Sequence, residues 1–116
     1  MDIEQASEKV ERLRLIGERL LKNVDFDEYE RWNAGTLRVF DLLFGQSSEP
    51  YMSFRFPGGG GSADSRESRV KNAIGQKLKV LNVVQQDLAG NVLRPKFGWN
   101  NSESEIDRAL SGIEEA

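Results

Sequence analysis

Carboxylates crowd the stretch Asp25, Asp27, Glu28 and Glu30, and a second set, Glu103, Glu105 and Asp107, stands near the end of the sequence. Acids so spaced can hold a divalent cation or divide acid and base work between them, and Asp27 is the residue on which a carboxylate-dependent hydrolase would turn. Both sets fall where a helix is expected to begin. Acids favour the positive end of a helix dipole, which accounts for them without any chemistry. Ser47, Ser53 and Ser62 offer hydroxyls, but there is no histidine to activate them. With no cysteine either, the chain lacks the usual zinc ligands, thiolate nucleophile and neutral-pH proton shuttle. Phe26, Tyr29, Trp32 and Phe40 could stack a ligand, yet at helical spacing aromatic residues more often form core. No catalytic residue, metal or cofactor is expected, and the protein is not expected to be an enzyme.

The remaining chemistry is charge. A net charge of −3 over 116 residues conceals a segregation. Residues 1–45 hold ten acids and seven bases, 46–62 one of each, 63–101 three acids and seven bases, and 102–116 five acids and one base. The third block is therefore +4 (seven less three) in a chain that is acidic at both ends. Basic and acidic helices packed side by side with solvated charged faces account for this. Alternatively Arg66, Arg69, Lys71, Lys77 and Lys79 form an anion-binding patch for nucleic acid or a nucleotide, although no aromatic stacking platform is interleaved with them.

Apolar spacing sets the elements that must position these groups. Ile3, Ala6, Val10, Leu13, Gly17, Leu20 and Val24 recur at alternating steps of three and four, and Ile16 and Leu21 widen the seam to a core-facing stripe. A helix is expected over about 2–23. Asp25 with Glu28 makes a capping box, and Val24 with Tyr29 can form the hydrophobic staple, opening a second helix over 26–44 that Gly45 ends in the left-handed conformation. So short a turn should set the two helices antiparallel. A third helix over 65–89, capped by Asp64 or Ser65, carries Val70, Ile74, Leu78, Leu81, Val84 and Leu88, with Val80 and Val83 broadening its stripe. Gly90 and Asn91 end it, Trp99 is expected to cover the end of the bundle, and a Ser102–Glu105 capping box opens a last helix over 103–114.

Between the second and third helices the pattern changes. Ser47, Ser48, Glu49 and Pro50 spell a turn, and Tyr51 to Phe56 alternates apolar and polar residues with the period of an extended chain. With no second strand to pair with, this stretch is expected to form an arm, with Phe54 and Phe56 covering core or, alternatively, with Tyr51, Phe54 and Phe56 exposed as a docking strip. Pro57 and the glycines Gly58 to Gly61, then Ser62, cannot continue a helix or strand and read as a flexible loop over 57–62. The same five residues, Gly58 to Ser62, also form a unit used to join engineered chains.

Leu37-Arg38-Val39-Phe40-Asp41-Leu42-Leu43-Phe44-Gly45, the arm Tyr51-Met52-Ser53-Phe54-Arg55-Phe56, and the later segments Ala73-Ile74-Gly75 and Gln86-Asp87-Leu88-Ala89-Gly90-Asn91-Val92-Leu93 resemble N-terminal helical accessory domains of bacterial proteins. In those proteins the domain precedes a TIR-like or other defence effector domain. The resemblance implies no catalytic residues here, because the family's chemistry lies in the effector. Taken together, the expectation is one all-α domain over 1–116. It is an antiparallel bundle of three main helices plus a short C-terminal helix, with an extended aromatic arm and a Gly-rich loop. Its expected role is protein interaction or oligomerisation, with a protein partner or a second copy, and nucleic-acid or nucleotide binding is the alternative. No stretch is apolar enough to span a bilayer, so no membrane is expected and the default location is cytoplasmic.

Overall fold

The computed structural model describes residues 3–58, 65–95 and 102–114, which form five helices and, among the described residues, no strand. They are α1 (Ile3–Lys22), α2 (Phe26–Phe44), α3 (Glu49–Arg55), α4 (Arg66–Ala89) and α5 (Ser102–Glu114). The Gly-rich run beyond Gly58, Asp64 and Trp99 lie outside the described residues, as does the side chain of Ser102 and with it the last capping box.

The helix starts follow from short-range chemistry. Asp25 accepts a hydrogen bond from the Glu28 amide at 2.9 Å, and Ser65 accepts one from the Ser68 amide at 3.1 Å. Each satisfies an amide that the first turn of a helix leaves without an intrahelical partner. The stop of α2 differs from expectation in detail. Gly45 has positive φ (95°) but an extended ψ of 158°, so it leaves the helix by a glycine-only route and not by the left-handed one. Gly90 and Asn91 end α4 as expected, and Asn91 is the residue that takes the left-handed conformation (φ 59°). The Val92 amide reaches back to the Asp87 carbonyl and the Asn91 amide to the Leu88 carbonyl, which is the Schellman arrangement.

Two helix pairs dominate the packing, α1 with α4 and α2 with α5. Glu11 accepts from Gln85 while Gly17 faces Leu78, so α1 and α4 run in opposite directions. Gly35 faces Ile113 while Arg38 donates to Glu105, which makes α2 and α5 opposed as well. The pairs are joined through one core that includes Leu13, Leu20, Trp32, Phe40, Leu81, Leu88, Ile106 and Leu110, all essentially without solvent exposure. Gly17 is what lets α2 approach α1. A Cβ there would lie 2.6 Å from Trp32 Cζ2, and the indole resting on that bare backbone donates from Nε1 to the Leu13 carbonyl at 2.9 Å. Charged groups tie α1 to α5: Lys9, itself buried, bonds Asp107 at 2.6 Å, and Arg12 pairs with Glu114.

The expected extended arm is a helix. Ser48 is its N-cap, accepting from the Tyr51 amide and donating to the Gly45 carbonyl, and Pro50 sits in the first turn, where its missing N–H costs nothing. Once wound, Pro50 and Phe54 fall one turn apart on the same face and both are buried. Phe54 fills the space between Trp32 and Phe40, its ring centroid 5.5 and 5.6 Å from theirs in edge-on geometry. Burial of an aromatic ring wins over a strand period that has no partner strand to bond.

Candidate interaction groove

The residues expected to meet a partner or an anion separate into core, surface and one new feature. Phe54 is core and is unavailable to a partner. Tyr51 is half-buried against the same core, and only Phe56, at 63% exposure, presents its ring to solvent, with the Arg55 guanidinium over it at 5.1 Å.

The five basic residues do not gather. The Arg66 guanidinium lies 4.3 Å from the centre of the Phe26 ring, Lys71 is 3.7 Å from Glu67, Arg69 is exposed with no ion pair among the described residues, and Lys79 lines a groove between α3 and α4. Lys77 corrects the expectation most directly, because it is buried. Its ammonium donates to Asn33 Oδ1 at 2.6 Å and to the Phe54 carbonyl at 2.9 Å, and it sits 4.5 Å from the centre of the Phe54 ring. The Phe54 carbonyl belongs to the last turn of α3, where carbonyls lack intrahelical donors. Lys77 supplies one, so a single side chain of α4 holds α3 and α2 in place. Among the described residues no carboxylate balances the buried charge, and burial pulls the Lys77 pKa down to about 8.

With α3 fixed in this way, an open groove of about 290 Å³ lies between it and the second half of α4. Pro50 and Ser53 form the α3 wall, Val80, Val83 and Val84 the α4 wall, and Val92 and Leu93 from the turn after α4 close one end. Apolar side chains remain open to water here: Val83 is 53% and Val92 79% exposed. The rim is charged. Glu49, Lys79 and Asp87 line it, and none of the three forms an ion pair among the described residues.

Val80 and Val83 were expected to broaden the core stripe. Val80 does so, half-buried against the core, but Val83 is exposed, and both also belong to a second stripe, Gln76, Val80, Val83 and Asp87, again at steps of four and three, which faces the groove. An apolar trough with a mixed-charge rim can receive apolar side chains of another polypeptide. Among the described residues no cluster of acids, histidines or cysteines is placed to hold a metal, and no helix is long and apolar enough to cross a membrane. Compared with protein-family models, curated proteins and solved structures, the chain matches none of them.

Proposed function

We propose that the protein is an interaction module that docks apolar side chains of a partner polypeptide in the groove between α3 and α4. One observation carries the reading: Val83 and Val92 are left open to solvent on the walls of a groove whose supporting residues, Phe54 and Lys77, are fixed in the core. Isolated exposed valines need no explanation, but several lining one concavity do. Removing them from water is worth roughly 25 cal/mol per Å² of apolar surface, and the rim charges add selectivity more than affinity. As such a module the chain would serve as an accessory domain, in keeping with the defence-protein resemblance of its helix ends.

The test uses an environment-sensitive apolar dye, 1-anilinonaphthalene-8-sulfonate, with the protein at sub-micromolar concentration. The folded protein is expected to enhance dye fluorescence, and Val83→Asp, at a half-exposed position, is expected to abolish the enhancement without changing the helical circular dichroism. Absence of enhancement, or enhancement indifferent to Val83→Asp, would remove the groove as a docking surface.

A further inference from the structure

We infer that the occupant of the α3–α4 groove is the α4 helix of a second copy of this chain, lying antiparallel to its own counterpart about a twofold axis. The inference rests on the docking reading above and adds the partner. A twofold interface must be self-complementary, since each residue that contacts a second one is itself contacted by that residue's copy.

The groove-facing stripe of α4 meets this condition. With the axis midway between Val80 and Val83, Val80 faces the partner's Val83, and Gln76 faces the partner's Asp87. The partner's Asp87 also comes within one turn of Lys79. The spacing of four, three and four residues places all four stripe positions on one seam, apolar in the middle and polar at both ends. Charge agrees with this pairing. Lys79 and Asp87 have no ion pair within their own chain among the described residues, and the antiparallel arrangement gives each an opposite charge across the axis. A parallel arrangement would instead set Asp87 against Asp87 and Lys79 against Lys79. Pro50 and Ser53 of α3 line the opposite wall and would meet the incoming helix, so two copies would cover the Val83 side chain that each leaves exposed.

The chain contains no cysteine, which makes the register readable by introduced ones. Light scattering over a concentration series should give twice the chain mass, persisting at high salt because the centre of the seam is apolar. Val83→Asp should raise the dissociation constant by at least about tenfold through an unpaired buried carboxylate. Under mild oxidation, a mixture of Val80→Cys and Val83→Cys proteins should cross-link several-fold more than either protein alone, since a disulfide requires Cα atoms about 4.4–6.8 Å apart. A monomer at every concentration overturns the second copy as occupant, and so does a dimer indifferent to Val83→Asp or one in which the mixture cross-links no better than its components. The dye separates the two failures. A monomer that still binds dye in a Val83-dependent way leaves the groove as a docking surface for another partner, whereas a monomer that binds none loses both.

Discussion

Three glycines in helices show how the same residue can be required at one site and dispensable at another. At Gly17 the space a Cβ would fill is already taken, by Trp32 Cζ2 at 2.6 Å and by Leu78 Cδ2 at 2.8 Å. Trp32 is fully buried and bonded to the Leu13 carbonyl, so it cannot give way without losing that bond. Gly17→Ala is therefore expected to destabilise the protein by about 1–3 kcal/mol, the usual cost of overpacking. Gly75 and Gly112, by contrast, have nothing within 4 Å of the position a Cβ would take. Both lie inside helices, α4 and α5, where glycine costs conformational entropy and gains nothing from close approach. Gly75→Ala should stabilise by about 0.5–1 kcal/mol. Urea unfolding of the two variants beside the parent protein checks both, and equal effects of the same sign would show that the Gly17 contact does not govern the α1–α2 approach.

Among the elements, α3 governs the candidate site. Its start depends on Ser48, whose hydroxyl both accepts from the Tyr51 amide and donates to the Gly45 carbonyl, bridging the end of α2 to the beginning of α3. Ser48→Ala is expected to cost about 1 kcal/mol, and Ser48→Asp, which keeps the cap acceptor, distinctly less. Because Phe54 ties α3 into the Trp32–Phe40 cluster, the loss should register in global unfolding. An unchanged global midpoint with a local rise in amide exchange over 49–55 would mean that α3 opens by itself.

The same helix marks the limit of what the sequence discloses. Helices α1, α2 and α4 lie within a residue of where apolar spacing and capping residues put them, because those signals are local and every turn repeats them. Seven residues of α3 carry too few repeats to separate a period of two from one of 3.6. The legible clue was Ser48 followed by Glu49 and Pro50, a helix start that also reads as a turn. Lys77 was legible in principle, since Ile74, Lys77, Leu81, Val84 and Leu88 continue the buried stripe at steps of three and four. At 100° per residue Arg66, Arg69, Lys71, Lys77 and Lys79 also scatter around the α4 axis, which argues against a common patch. The groove itself was not legible. It exists because Phe54 and the Lys77 ammonium set the distance between α3 and α4, and no spacing along the chain encodes that distance.

For the molecule as a whole, pH should affect stability through one group at the acid end of the scale and two at the alkaline end. Hydrogen bonds from Arg14 and then Gln85 hold the Glu11 carboxyl at about 2, well below its ordinary 4.5. This contribution is present above pH 4.5 and is lost as pH falls towards 2, but Glu11 is solvent-exposed enough that the effect is small. Lys77 acts in the other direction. Its folded pKa of about 8 lies below the ordinary 10.5, so below pH 8 both states are protonated and the cost of the buried charge is felt in full. Between pH 8 and 10.5 the folded protein releases the proton while the unfolded chain retains it, and stability rises with pH. Tyr29, whose pKa burial pushes above the ordinary 10, sets the upper limit of the window, because an unfolded tyrosine ionises first. From pH 7 to 9.5 the unfolding free energy is expected to rise by about 1–2 kcal/mol, at 1.36 kcal/mol per pKa unit of separation. Lys77→Met fills the same space without the charge, leaves Asn33 Oδ1 and the Phe54 carbonyl without their donor, and should remove the rise. Urea unfolding at pH 7 and pH 9.5, on parent and variant, decides the matter. A flat parent profile would mean that the Lys77 ammonium is not held in a desolvated site, and with it would go the anchoring of α3 on which the groove depends.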